Sequence, residues 1–172
     1  MQNPFRSIPK FTVAEKAMLA LSVFGAGSML YLLKVHYAGG SGVCDFGAGF
    51  NCQIVNQSMY ADVLGVPVSA LGLMFFVTVA TVAWTRSRWA MPWVQLFTVG
   101  SLVFSLYLSF IEYRVLYSIC VFCEASKLAM VGILALAYRD TREGESVVSP
   151  HAYAAAVACG AAFTWAVTRL QW

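Results

Sequence analysis

The chain has 172 residues, of which 60% are apolar and 11% are charged, with a net charge of +3 and a mean hydropathy of +0.71. Soluble domains average roughly 45–50% apolar and about 25% charged residues, so this composition excludes an ordinary soluble domain and a disordered chain. So few charges also exclude the dense basic surface of a nucleic-acid-binding protein. We therefore interpret the chain as an integral membrane protein whose apolar surface faces the lipid bilayer.

Five long stretches with few charged residues predict membrane-spanning helices, because a bilayer core about 30 Å thick needs about 20 apolar residues per helix. They cover residues 17–33, 63–85, 89–111, 118–138 and 152–168. The alternation typical of a membrane β-barrel is absent, so the predicted class is all-α. We predict a four-helix catalytic bundle in residues 1–140 with an outer loop over 34–65. Residues 141–172 then form a short cytoplasmic linker and a fifth transmembrane helix.

The basic residues predict the orientation of these helices. If the N-terminus is cytoplasmic, seven basic residues lie on that side and three on the other. The seven are Arg6, Lys10, Lys16, Arg86, Arg88, Arg139 and Arg142, and the three are Lys34, Arg114 and Arg169. This imbalance follows the positive-inside rule, so we expect the long loop on the outer side.

The outer loop has an organisation of its own. It starts with the glycine-rich residues 39–42, and it then encloses two glycines between Cys44 and Cys52. Apolar residues spaced mostly three to four apart over residues 53–64 predict a short amphipathic helix, which we expect to lie in the membrane interface as a lid. An irregular loop that only connects two helices is the alternative. Pro67 suits the first turn of the next helix.

Four of the five cysteines fall on the outer side, where an oxidising compartment allows disulfides to persist. Cys120 and Cys123 form a Cys-x-x-Cys motif at the outer end of the fourth span. We expect Ser118 to cap that helix, which puts Cys120 at its second position, where the helix dipole stabilises a thiolate. The alternatives are purely structural disulfides, as in a non-catalytic scaffold or small transporter, and half of a zinc site. Cys159 in the fifth span is interpreted as a packing residue.

Two ionisable residues lie inside the fourth span, where charges are costly and usually face the bundle interior. Lys127 is one turn beyond Cys123 and would add positive charge near the thiols. Glu124 would oppose that effect or pair with the lysine. This face of the fourth helix is therefore a candidate functional site.

Taken together, four sequence features resemble the vitamin K epoxide reductase family over roughly residues 15–140. They are CDFGAGFNC at 44–52, Ser58, GVPVSALG at 65–72 and CVFC at 120–123. The resemblance implies a four-helix membrane bundle that passes electrons from a thioredoxin-like protein to a quinone. Bacterial members support disulfide formation, which implies a multi-pass protein of the bacterial inner membrane with its active cysteines on the periplasmic side. No thioredoxin-like domain follows the fifth helix, so we expect a separate, DsbA-like partner.

The resemblance also implies a role for each cysteine. Cys44 corresponds to the cysteine that meets the partner and Cys52 to the shuttle cysteine that passes electrons to Cys120. Cys123 then corresponds to the cysteine that reduces the quinone, which is ubiquinone, menaquinone or another vitamin K-like quinone. Ser58 matches a serine that lies near the quinone and helps to position the loop.

The quinone pocket is predicted less sharply. Phe75, Phe76 and Phe122 are candidate aromatic walls, and Lys127 is a candidate polar contact. Vertebrate members have an asparagine and a tyrosine that bind the vitamin K oxygens, where this chain has Val68 and Lys127. We therefore expect quinone reduction, with reduction of vitamin K epoxide as the alternative, and we expect no metal.

Overall fold

The fold is almost entirely helical in the computed structural model, which describes residues 11–38, 43–47, 49–143 and 148–171. Within these residues, five helices are long and apolar enough to cross a membrane. They are α1 Val13–Ala38, α3 Val68–Thr85, α4 Met91–Ile111, α5 Val121–Glu143 and α6 Pro150–Gln171, while α2 Cys52–Asn56 is a short helix in the outer loop. The predicted all-α fold with five spans is confirmed.

One predicted helix in the outer loop is wrong. Instead of an amphipathic helix over 53–64, the chain forms α2, a 3₁₀ turn at Met59–Ala61, and a small hairpin. The hairpin pairs β1 Asp62–Val63 with β2 Val66–Pro67. Leu64 and Gly65 connect the strands with φ angles of +54° and +79°, a left-handed conformation that cannot continue a right-handed helix. As a result α3 begins only at Val68, directly after Pro67.

The long helices leave a gap on one side of the bundle. α1 packs against α3 and α5, and α4 packs against α5 and α6. Glycine lets α1 and α3 approach closely, since a Cβ atom at Gly25 would lie 2.3 Å from the ring of Phe76. By contrast, α3 and α4 touch at few points, one of which is the ring pair Phe75 and Phe97 with centroids 5.6 Å apart. The gap therefore lies between α3 on one side and α4 with α6 on the other.

A buried polar cluster joins α4, α5 and α6. Gln95 on α4 is fully buried, and its Nε2 donates to the Ala137 carbonyl at 2.7 Å and to Thr141 Oγ1 at 2.6 Å, both on α5. Its Oε1 accepts a hydrogen bond from the hydroxyl of Tyr153 on α6. Because an unpaired amide would be costly in an apolar interior, this network holds the first turn of α6 against α4 and α5.

Two further contacts hold α6 along α4. Midway, Gly160 lies so close to Gly100 that a Cβ atom at Gly160 would be 2.6 Å from the Gly100 carbonyl oxygen. Further along, the ring of Phe163 meets the ring of Phe104 edge to face at 5.3 Å between centroids. Small residues at a helix contact and aromatic pairs are typical of packed membrane helices. The fifth helix is therefore an integral part of the bundle.

The loop over residues 43–67 and the start of α5 define what we call the cysteine end of the bundle. At the opposite end, Arg86 donates to Glu15 Oε1 at 2.8 Å and so joins the end of α3 to the start of α1. Several residues from the sequence analysis lie outside the described part of the chain. They are Arg6, Lys10, the glycine-rich residues 39–42, and the side chains of Arg88 and Arg142.

We expect Gly160→Ala to lower the free energy of unfolding by about 1–3 kcal/mol, because the new methyl group pushes against the backbone of α4. Thermal unfolding in detergent measures the effect. Gly27→Ala on α1 is the matched control, since nothing lies within 4 Å of a Cβ atom there. Equal stability of Gly160→Ala and the wild type would contradict the close helix contact.

Candidate active site

The first cysteine pair lies in a compact turn of the outer loop. Cys44 and Cys52 form a disulfide, with their Cα atoms 5.8 Å apart. Between them, the N–H of Phe46 donates to the Phe50 carbonyl at 3.1 Å. The chain reverses at Gly47 and Gly49, whose φ angles of +99° and +105° suit glycine and disfavour other residues. The two glycines that the sequence analysis noted therefore shape the turn that closes the disulfide.

A backbone ladder joins this turn to the segment before α5. The N–H of Ile119 donates to the Gly49 carbonyl at 2.9 Å, and the N–H of Asn51 donates to the Ile119 carbonyl at 3.2 Å. These bonds place Cys52 and Cys120 in the same buried cluster, and each of these side chains is 0% exposed. The two cysteine pairs, which are far apart in sequence, therefore meet at the cysteine end of the bundle.

The loop is also fastened to the end of α1. Nδ1 of His36 lies 2.7 Å from the Asn56 carbonyl oxygen. The amide of Asn56 donates to the Leu32 carbonyl, and Nε2 of Gln57 donates to the Val35 carbonyl at 3.3 Å. The part of the loop that follows Cys52 is thus held against the membrane helices.

The second cysteine pair lies at the start of α5, two positions nearer the N-terminal end of the helix than expected. The prediction that Ser118 caps this helix is wrong, because α5 begins at Val121 and Cys120 lies just before it. The Sγ of Cys120 accepts the N–H of Cys123 at 3.2 Å, as the side chain of an N-cap residue does. The Ser118 N–H donates to the Glu112 carbonyl instead. The N–H of Cys123 in the first turn of α5 thus points at the Cys120 sulfur, where it stabilises negative charge.

Glu112 is a site residue that the sequence analysis missed. It begins a π-helical turn, Glu112–Leu116, that continues α4, and it is only 2% exposed. Its Oε2 accepts the N–H of Cys120 at 2.9 Å. The signal in the sequence was its position directly after a charge-free span, three residues beyond Ser109. The predicted span ends at residue 111, so it left the inward direction of the Glu112 side chain unpredicted.

Lys127 connects the carboxylates around the thiols. Its ammonium group lies 2.6 Å from Glu124 Oε1, 3.6 Å from Glu112 Oε1 and 2.5 Å from Ser109 Oγ. The pairing with Glu124 is one of the two outcomes that the sequence allowed, and the pairing with Glu112 adds a link to the Cys120 backbone. Since each charge has a partner, this part-buried cluster avoids the cost of an isolated ion in the membrane.

A cavity of about 780 Å³ occupies the gap between the helices and reaches this cluster. Among its lining residues are five of those singled out from the sequence: Ser58, Phe75, Phe76, Cys123 and Lys127. Phe122, the third candidate wall, does not line the cavity and packs against Tyr31 with ring centroids 4.9 Å apart. Phe122 precedes Cys123 by one residue on α5, so its side chain points about 100° away from that of Cys123, toward α1.

Two serines at the cavity differ in their bonding. The hydroxyl of Ser58 donates to the Val55 carbonyl at 2.8 Å and so holds the loop in place. Ser69, at the start of α3, is 4% exposed, and its hydroxyl makes no hydrogen bond within the described residues. Because buried hydroxyls are normally paired, Ser69 is available to a molecule in the cavity.

Comparisons with known proteins agree with this geometry. A family model described as the vitamin K epoxide reductase family matches residues 16–138. The vitamin K epoxide reductase complex subunit 1 of Rattus norvegicus is 27% identical, and that of Mus musculus is 28% identical. Each comparison covers 73% of this chain and 89% of the relative. The family match contains both cysteine pairs, and it ends before α6.

We expect Glu112→Ala to expose Cys120, because the Cys120 N–H then lacks its acceptor and the start of α5 opens more often. A lost hydrogen bond to a buried carboxylate, worth about 1.5–3 kcal/mol, corresponds to at least roughly ten-fold faster alkylation of Cys120 by a maleimide. Mass spectrometry of the protein in detergent measures this rate.

Two variants control this experiment. Glu112→Gln keeps an acceptor for the N–H and should restore slow alkylation, whereas Glu124→Ala removes a carboxylate that does not contact Cys120 and should leave the rate low. Equal alkylation rates in all three variants would refute the positioning role of Glu112.

Proposed function

The chain belongs to the vitamin K epoxide reductase family, and on that premise we propose that it oxidises a separate thioredoxin-like (DsbA-like) protein and reduces a membrane quinone. Family membership makes it a multi-pass membrane oxidoreductase of a family that acts with quinones. One observation carries the more specific proposal. The disulfide pair of the loop and the Cys-x-x-Cys pair of α5 share one buried cluster, and Cys123 faces the cavity.

The cavity suits a quinone, which needs flat apolar walls and hydrogen-bond donors for its two carbonyl oxygens. Phe75 and Phe76 supply aromatic walls, and the unpaired hydroxyl of Ser69 supplies a buried donor. We assign Lys127, one helical turn from Cys123, to the electrostatic stabilisation of charge that develops during reduction. Ser58 holds the loop over this site. A quinone accepts two electrons and two protons, which matches the yield of one dithiol.

The relay begins at the loop disulfide. A thiolate of the reduced partner attacks Cys44, so that a mixed disulfide forms and Cys52 leaves as a thiolate. The partner's second thiol then displaces Cys44, and the partner leaves as a disulfide. The loop now holds two thiols, and the two electrons have passed from the partner to Cys44 and Cys52.

The second exchange passes these electrons to α5. The Cys52 thiolate attacks the sulfur of Cys120 in the Cys120–Cys123 disulfide, and Cys123 leaves beside the cavity. Cys44 then attacks Cys52, which restores the loop disulfide and leaves Cys120 and Cys123 as thiols. The two thiols finally close to a disulfide while the quinone takes up two electrons and two protons.

A quinone is favoured over an epoxide by the residues of the cavity wall. Val68 and Lys127 both line the cavity. They stand where the resemblance in sequence predicts the asparagine and tyrosine that bind vitamin K oxygens. Valine offers no hydrogen bond, and the Lys127 ammonium is already shared by carboxylates. We therefore propose quinone reduction as the main activity.

The proposed location is the bacterial inner membrane, with the N-terminus cytoplasmic and the cysteine end periplasmic. The positive-inside pattern supports this orientation. An oxidising periplasm would also supply the setting in which the Cys44–Cys52 disulfide persists.

Cys120→Ala and Cys123→Ala should abolish quinone reduction, because each removes half of the pair that delivers the electrons. The test is a single turnover in which pre-reduced protein meets one equivalent of quinone and absorbance follows quinone loss. Cys44→Ala and Cys52→Ala leave the α5 pair intact, so these variants should still reduce one equivalent. Quinone reduction by either α5 variant would disprove the assignment.

Cys44→Ala should separate the two ends of the relay in steady state. A thioredoxin-like protein can then no longer form its mixed disulfide, whereas a small dithiol such as dithiothreitol reaches the α5 pair directly. We expect turnover with the protein donor to disappear and turnover with dithiothreitol to persist. Normal turnover with the protein donor would show that the order of the relay is wrong.

A further inference from the structure

The cavity extends far beyond the space that a quinone ring needs. Along α4 its lining runs from Trp93 to Ile111, which at 1.5 Å per residue is about 27 Å. That length approaches the roughly 30 Å thickness of the bilayer core. The cavity is therefore a groove that follows α4 from the thiols almost to the opposite end of the bundle.

The two ends of the groove differ in chemistry. Its two charged lining residues, Glu112 and Lys127, lie at the cysteine end, as does the unpaired buried hydroxyl of Ser69. Trp93, Leu96 and Phe97 line the far end. A molecule that fills the groove thus has a polar head at Cys123 and a long apolar extension.

α6 supplies one wall of the groove. Its lining residues recur every three to four positions and so form one face of the helix, made mostly of small side chains: Ala152, Ala155, Ala156, Cys159, Gly160 and Phe163. The contacts with Gln95, Gly100 and Phe104 described above hold this face at a fixed distance from α4. This wall lies outside the part of the chain that matches the family.

We propose that α6 and α4 together bind the polyprenyl tail of the quinone, so that the fifth helix gives the enzyme a preference for long-tailed quinones. This inference rests on the proposed function. The groove is continuous with the site at Cys123, and among the described residues the charged groups that line it are all at that end, so one molecule with a polar head and a long apolar tail fits it throughout. The small side chains of α6 provide the width for the tail.

Substitutions on α6 test this inference. Ala155 and Cys159 line the groove and are exposed at its rim, so Ala155→Phe and Cys159→Phe should obstruct it. We expect each to raise KM for a quinone with a long prenyl tail roughly five-fold, equivalent to about 1 kcal/mol, with kcat little changed. KM for a quinone without a tail should stay constant.

The matched controls are Ala154→Phe and Ala158→Phe, which add the same ring one position away on exposed residues that do not line the groove. Their KM values should equal those of the wild type, and thermal unfolding in detergent shows whether all four variants are folded. If a rim variant is unstable, Ala155→Leu and Ala154→Leu form a milder pair with the same expected contrast.

The outcomes separate the two proposals. If the wild type reduces both quinones but its KM is independent of tail length, or if groove and control variants behave alike, the groove does not bind the tail and only this inference fails. If the wild type reduces neither quinone, the proposed function fails and this inference fails with it. The inference is supported if KM rises only for the long-tailed quinone and only in the groove variants.

Discussion

The site depends on two backbone hydrogen bonds that tie the outer loop to Ile119. Gly49 and Asn51 bond to both sides of one residue, and that residue stands directly before Cys120. α1 packs against both the loop and α5, and the ladder adds to this packing by fixing which loop residues lie beside Cys120. With it, the cluster of buried residues contains Cys44, Cys52 and Cys120. The loop disulfide and the cysteine pair of α5 are thus brought together by hydrogen bonds between backbone atoms.

At the buried cysteine pair of α5, an unpaired backbone N–H and an unpaired carboxylate would both be costly, and Glu112 and Lys127 together remove these costs. The backbone of Cys120 needs an acceptor because α5 has only begun, and the Glu112 carboxylate supplies it. A carboxylate in that apolar position in turn needs a cation, which Lys127 provides, and Glu124 and Ser109 complete the shell of the ammonium. Glu112 continues α4 with α-helical backbone angles at the start of the π-helical turn, and its side chain is buried. The same group of residues borders the cavity, so one ionic cluster both fixes the cysteine backbone and places charged groups at the wall of the cavity.

The sequence predicts the helices well and the connections poorly, for physical reasons. Charge-free length is enough to identify five spans, because only a helix satisfies its backbone inside a bilayer. Cys44, Cys52, Cys120 and Cys123 stand out by spacing.

The hairpin after α2 could not be inferred, since Leu64 adopts a positive φ without being glycine or asparagine. Glu112 was equally hidden, because its partner is a backbone group eight residues away and the turn that aims it is irregular. The position of Phe122 could not be predicted either, because its contact with Tyr31 depends on how α5 is rotated about its own axis.

The relay that we propose would require the outer loop both to open and to close, and the two backbone bonds that hold the turn are individually weak. Cys44 is 1% exposed, so a protein partner in the proposed relay would reach its sulfur only after the loop had moved. Exchange with Cys120, by contrast, needs the loop closed. Two ladder bonds, each worth about 0.5–1.5 kcal/mol, hold the turn closed, and docking of a partner can offset that amount. Gly47 and Gly49 let the turn move, while the contacts of Asn56 and Gln57 with α1 keep the rest of the loop seated. In the proposed relay, opening would therefore be confined to the few residues around Cys44, and the cavity below them would stay covered.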